Sequence, residues 1–94
     1  MLMLVYSGSD PRRISSVLDE HRAGGYTEFH GVHGVGATGR REGSRAWPGG
    51  STLFVSVVPA DAAPELAEAL RVEAGELPAG ERLHVAVLPT ENFF

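Results

Sequence analysis

A glycine- and arginine-rich segment, residues 34–50 (GVGATGRREGSRAWPGG), carries the side chains of this sequence best suited to bind an anion. A guanidinium offers a planar set of donors that match phosphate or carboxylate oxygens two at a time. Nearby glycines let backbone N–H groups approach the same anion. The segment therefore predicts a contact with a ligand or a partner, and a solvated loop is the alternative. The candidate residues are Gly34, Gly36, Gly39, Arg40, Arg41 and Arg45.

The first three glycines of this segment have the spacing G-x-G-x-x-G, which is also that of a dinucleotide-binding fingerprint. That fingerprint functions only where its glycines close a strand and open a helix, because the helix N-terminus holds the pyrophosphate. Here the following residues include Gly43, Pro48 and Gly49, and glycine costs about 1 kcal/mol and proline about 3 kcal/mol inside a helix. The spacing therefore does not predict a dinucleotide-binding fold, and the segment is interpreted as a loop.

The composition limits the class of protein. The 94 residues predict one domain, residues 1–94, and the net charge of −4 argues against binding to nucleic acid, which needs many cationic groups. No cysteine is present, which excludes disulfides and thiolate metal sites.

No apolar run approaches the roughly 18 residues of a membrane span, so membrane insertion is not expected. The N-terminal MLMLVYSG lacks a preceding basic segment and predicts a strand rather than a signal peptide, so a cytoplasmic protein is expected.

Hydrophobic periodicity predicts four strands and two helices in the order βαββαβ. This order is that of the ferredoxin-like α+β fold, in which right-handed crossovers place both helices on one face of a four-stranded antiparallel sheet. The predicted strands are residues 1–7, 26–35, 51–58 and 83–88, and the predicted helices are residues 11–23 and about 61–75.

The predicted strands are apolar on both faces, although helices would cover only one. In the first strand Met3 and Val5 alternate with Leu2 and Leu4, and the last strand has the same character. An exposed apolar face of several hundred Å² normally marks a partner surface. Self-association with closed cyclic symmetry is therefore expected.

A glycine-rich stretch, G-Y-T-x-x-x-G-V-x-G-x-G over Gly25–Gly36, precedes the polar loop, and a strand of the type STLFVSVVP follows it. With these motifs the whole chain resembles the PII-like signalling proteins. The resemblance implies a homotrimer that packs its sheets together and binds small effectors in the clefts between subunits. The loop at about residues 37–50 corresponds to the T-loop of that family, which contacts a target protein such as a transporter or an enzyme.

The sequence departs from the classical family pattern in the turn before the last strand. The family has G-D-G-K-I there, whereas this chain has Leu77-Pro78-Ala79-Gly80-Glu81-Arg82-Leu83, with one glycine and no lysine. The resemblance therefore implies an effector such as ADP, AMP or bicarbonate, with ATP a further candidate. Trp47, the single tryptophan, could stack on an adenine ring or anchor the base of the loop at the subunit interface.

Two other functions remain open at this stage. Glu28, His30 and His33 form a ligand set suited to zinc or copper, and a metal-binding trimer is one alternative. In an extended strand residues 28 and 30 share a face while 33 points the other way, so a bulge must bring them together. A structural adaptor without a small-molecule ligand is the other alternative. No arrangement of nucleophile, base and acid is recognisable, so the chain is not expected to be an enzyme.

Overall fold

The computed structural model describes residues 1–21, 23–36, 39–41 and 51–94. These residues form six strands and two helices. The helices are α1 (Arg12–Glu20) and α2 (Ala63–Gly75). The strands are β1 (Leu2–Ser7), β2 (Thr27–Val32), β3 (Gly34–Gly36), β4 (Gly39–Arg41), β5 (Ser51–Ser56) and β6 (Arg82–Val87).

The main sheet has the strand order β2-β5-β1-β6, and each neighbouring pair is antiparallel. β1 occupies a central position, with Leu4 opposite Phe54 of β5 on one side and Val85 of β6 on the other. With both helices on one face, the predicted ferredoxin-like α+β fold is confirmed.

The core lies between the helices and the inner face of the sheet. In β1, Leu2, Leu4 and Tyr6 are buried, whereas the residues between them are not, as expected for a strand with one covered face. Burial of an aliphatic side chain of this size stabilises the fold by about 1.5–3 kcal/mol. The other large buried members of this core are Ile14, Leu18, Phe54, Leu66 and Leu70.

The opposite face of the sheet, called the outer face below, carries a second apolar surface. The strand register places Phe29, Leu53 and Val5 side by side in one row. The next row contains Val55 and Met3. Phe29 is 46% exposed and Met3 36% exposed, although both are large apolar residues. In the described part of the chain neither helix covers this face, which agrees with the apolar pattern of the sequence.

Two predicted boundaries are wrong. The first helix ends at Glu20 rather than near residue 23, because the Ala23 N–H donates to the Leu18 carbonyl (3.2 Å) and Gly24 has φ +80°. A left-handed residue of this kind ends a helix.

The second predicted strand, residues 26–35, divides at a bulge between Phe29 and Val32, where Gly31 has φ +67°. The chain then continues as β3, which pairs with β4 in a separate two-stranded ladder. Part of the predicted loop of residues 37–50 is therefore a strand. The physical reason is the bulge, which turns residues 34–36 away from β5 and toward residues 39–41.

Neither described helix could cross a membrane. α1 has 9 residues and α2 has 13, whereas a span of the bilayer requires about 20.

Candidate functional site

All four strands of the main sheet have a terminus at the same end of the sheet. Segment 34–50 connects to the sheet at this end, which is called the loop end. β2 and β1 finish there at Val32 and Ser7, and β5 and β6 start there at Ser51 and Arg82. The register pairs Val32 with Ser51 and Ser7 with Arg82. The two serine hydroxyls are hydrogen-bonded to each other, with 2.7 Å between their Oγ atoms. The loop end therefore places Ser7, Ser51 and Arg82 side by side across the sheet, with Ser51 only 4% exposed.

The ladder of β3 and β4 brings five of the predicted ligand residues together through their backbones. Gly34 is opposite Arg41, and Gly36 is opposite Gly39. Arg40 lies between them, opposite Val35. The predicted Arg45 and Trp47 lie outside the described residues. The described part of the predicted site is therefore a short antiparallel ladder rich in glycine, attached to the sheet through His33.

A hydrogen-bonded latch, formed by Tyr6, Ser9, Asp10 and Glu81, ties two turns together at the loop end. The Tyr6 hydroxyl donates to Glu81 Oε1 at 2.7 Å and accepts from the backbone N–H of Asp10 at 3.1 Å. The Ser9 hydroxyl donates to the second carboxylate oxygen, Oε2, at 3.2 Å. The latch therefore fixes the turn between α2 and β6 against the turn between β1 and α1.

Tyr6 is only 1% exposed, and this burial has an electrostatic consequence. Burial, together with the hydrogen bond to Glu81, raises the pKa of Tyr6 to about 12. A buried phenolate next to a carboxylate is disfavoured by both desolvation and charge repulsion. The hydroxyl therefore stays protonated and remains a donor to Glu81 over the whole physiological range.

Gly8 makes the latch sterically possible. A Cβ atom at this position would overlap the Tyr6 hydroxyl and the Glu81 carboxylate oxygen Oε1. Only glycine leaves enough room for the two side chains to meet beside the backbone.

Sequence reasoning missed the latch. Tyr6 and Glu81 are 75 residues apart, and no periodic pattern connects them. The one available signal was Gly8, which stands between a strand and a helix start and is too isolated to identify its neighbours.

An ion pair joins the two helices near the latch. Arg13 of α1 contacts Glu73 of α2 through Nε at 2.7 Å and through the terminal nitrogen Nη2 at 2.6 Å. This hydrogen-bonded contact raises the pKa of Arg13. Arg13 and Glu73 neutralise each other, and Arg12 and Asp10 form a second pair at 3.2 Å.

The predicted metal ligands are only partly brought together. Glu28 and His30 share a face of β2, and Glu28 Oε2 lies 2.8 Å from His30 Nε2. His33 follows the bulge and is exposed. Within residues 1–21, 23–36, 39–41 and 51–94, no three histidine or carboxylate side chains form a group that could hold a metal ion.

Apolar grooves are found at the other end of the sheet. One has a volume of about 470 Å³ and is lined by apolar residues including Met1, Val57, Leu88 and Phe93. None of the predicted ligand residues lines it. The polar groups of the loop end and the apolar groove are thus separated by the length of the strands.

Comparison with solved structures identifies proteins of the same fold. The chain is similar to CPII, a nitrogen regulatory PII-like protein from Thiomonas intermedia K12, in a structure bound to ADP, AMP and bicarbonate. The two sequences are 20% identical, the match covers 90% of this chain and 83% of CPII, and the TM-score is 0.59. A second CPII structure with the same ligands gives 18% identity, coverage of 90% and 89%, and a TM-score of 0.55.

These similarities confirm the expected resemblance to PII-like proteins at the level of the fold. A scan against protein-family models and a search of curated proteins find no match for this sequence.

Proposed function

We propose that this chain is a PII-like regulatory protein that binds a small anionic effector at the loop end. The effector would be an adenine nucleotide, ADP, AMP or ATP, or bicarbonate. The carrying observation is the row formed by Ser7, Ser51 and Arg82, which lies where the glycine- and arginine-rich segment leaves the sheet. Hydroxyl groups and a guanidinium are suitable donors for phosphate or carboxylate oxygens. CPII, which has the same fold, is described as bound to ADP, AMP and bicarbonate.

The proposal includes a homotrimer, with the effector in clefts between neighbouring copies. The outer face supports self-association, because Phe29 and Met3 are exposed there beside Val5, Leu53 and Val55. Burial of such a face against a second copy removes apolar surface from water. Closing the sheets around a shared centre would bring the loop end of each copy against its neighbour.

The proposed readout of the effector is the T-loop, residues 37–50. Bound effector would interact differently with two arrangements of this segment and so change their populations. A target protein, a transporter or an enzyme, would then recognise one arrangement. We infer a regulator rather than an enzyme, acting in the cytoplasm without binding nucleic acid or inserting into a membrane. Support for the regulatory role comes from CPII, which is named as a nitrogen regulatory protein.

Isothermal titration calorimetry with ADP, AMP, ATP and bicarbonate, each added separately to the full chain, tests the proposal. At least one ligand is expected to bind with a dissociation constant of about 10⁻³ M or lower. A Ser51→Ala variant should weaken that binding, while Ser16→Ala, an exposed serine on α1, should leave it unchanged.

Failure of all four ligands to bind would contradict the proposed effector class. The adaptor alternative predicts that none of the four ligands binds, and therefore that none of them raises the thermal stability of the chain. Zinc or copper that binds wild type but not His33→Ala would instead support the metal-binding alternative.

A further inference from the structure

A histidine stands at the end of an apolar row on the outer face. The strand register pairs His84 of β6 with Val5 of β1, and Val5 in turn is paired with Leu53 of β5. Phe29 of β2 completes the row. Leu4, the residue before Val5, is buried under the helices, and successive residues of a strand point to opposite faces. His84 therefore belongs to the outer face, where it is exposed in a single chain.

The strands of the main sheet, all of which the structure describes, place no carboxylate on this face. The residues of β1 beside His84 on the outer face are uncharged: Met3, Val5 and Ser7. The other charged group of the face is Arg82, two residues earlier on the same strand. Glu28 of β2 is paired with the buried Phe54 and points to the helix-covered face, beside His30. Within these strands, a protonated His84 thus has a cation but no anion on its own face.

We propose that protonation of His84 dissociates the homotrimer, so that assembly of the chain responds to pH. This inference rests on the proposed function, because it concerns the interface that the outer face would form between copies. An imidazole gains its proton near pH 6.5, written as an approximate value of about 6.5. A neutral imidazole can be buried among apolar side chains, whereas a charged one without a partner is strongly unfavourable there.

The symmetry of the assembly multiplies the effect. Each copy contributes one His84, and a second copy's outer face again brings a histidine and Arg82 rather than a strand carboxylate. The assembled form then binds fewer protons than the separate chains, so acid favours the separate chains. At pH 5 the release of one proton from an imidazole costs about 30-fold in the association constant. Three such sites lower the association constant of the trimer by a factor on the order of 10⁴ relative to pH 8.

Sedimentation equilibrium over a dilution series, at pH 8 and pH 5, measures this association constant for wild type, His84→Gln and His21→Gln. Glutamine keeps polar groups at the position but gains no proton. The constant should fall by about 10⁴-fold for wild type at pH 5, and by less than about tenfold for His84→Gln. His21 follows α1 on the helix layer, 3.5 Å from Glu65, so His21→Gln is the matched control and should behave as wild type.

A second variant, His84→Leu, tests the same position without any polar group. It should form the trimer at both pH values, because the apolar row is then continued to its end. Far-UV circular dichroism at pH 5 separates dissociation from unfolding. Loss of the trimer only together with loss of the helical signal would overturn the inference.

The outcomes distinguish the inference from the proposed assembly. If wild type is a trimer at pH 8 but wild type and both His84 variants respond equally to acid, the inference fails while the trimer stands. If wild type is a single chain at pH 8, the proposed trimer and the inference fail together. Binding of the effector, measured by calorimetry, is independent of either result.

Discussion

At the residue scale, the loop end is held together by a small set of side chains that are far apart in the sequence but in contact in the fold. Tyr6 contributes its ring to the core and its hydroxyl to the latch, and Gly8 leaves the room that the latch needs. Such a double role is typical of a buried tyrosine, which packs as an apolar residue but must place its hydroxyl on a partner. Glu81 supplies that partner here.

The raised pKa of Tyr6, about 12, predicts a loss of stability at alkaline pH. In the unfolded chain the pKa of tyrosine is about 10. Below this pH the Tyr6 hydroxyl is protonated in both the folded and the unfolded state, and its contribution to stability is fully present. Between pH 10 and 12 the unfolded chain releases its proton first, so the free energy of unfolding should fall by about 2–3 kcal/mol. The chain has no lysine or cysteine and only two tyrosines, so few other groups titrate in this window.

Urea denaturation of wild type and Tyr6→Phe at several pH values from 9 to 12 measures this loss. Tyr6→Phe should be less stable at pH 9, because the Asp10 N–H and the Glu81 carboxylate lose a partner, at a cost of about 1–3 kcal/mol. Its stability should then decline less than that of wild type as the pH rises. Tyr26→Phe is the control and should decline with wild type. Parallel declines of wild type and Tyr6→Phe would contradict the assignment.

At the element scale, α2 is held to the sheet by a narrow apolar side. Leu66 and Leu70 are fully buried, while Val72 on the same helix is 54% exposed. The four-residue spacing of the two leucines places them on one side of the helix, one turn apart. The helix therefore depends on these two contacts more than on its remaining apolar residues.

Leu70→Ala should destabilise the chain by about 2–5 kcal/mol, because it removes buried methyl groups and leaves a cavity in the core. Val72→Ala removes apolar atoms from an exposed position of the same helix and should change stability by about 0.5 kcal/mol or less. Chemical denaturation monitored by circular dichroism measures both variants. Equal losses for the two variants would contradict the observed orientation of α2.

At the scale of the whole molecule, the sheet has one face covered by helices and one apolar outer face without a described cover. Val55 and Met3 lie side by side there, next to the row that contains Phe29, Leu53 and Val5. Contact with further copies of the chain would remove this surface from water. This surface is the support for the proposed trimer.

Val55→Glu should convert the proposed trimer into a monomer, because a carboxylate buried in an apolar interface without a partner is strongly unfavourable. One chain has a mass of 10.0 kDa. Light scattering coupled to size-exclusion chromatography should give three times this mass for wild type and the mass of one chain for the variant. Val72→Glu places the same charge on an exposed position of α2 and should remain a trimer. A wild type that elutes as a single chain at micromolar concentration would exclude the assembly.

The sequence alone determined the architecture. The short continuous apolar run of residues 1–7 identifies a strand, and the four-residue spacing of Leu66 and Leu70 identifies a helix, since the backbone periods of 2.0 and 3.6 decide which side chains share a face. The order of the elements then leaves few ways to form a sheet. The glycine- and arginine-rich segment was likewise evident from composition.

Only the tertiary structure decided which distant residues meet. The contact of Tyr6 with Glu81 and the row of Ser7, Ser51 and Arg82 arise from strand register and from the turn between α2 and β6. The division of the predicted second strand at Gly31 was also decided there. Periodicity records which face a residue occupies, but register and turn geometry result from packing of the whole chain, so no local pattern encodes them.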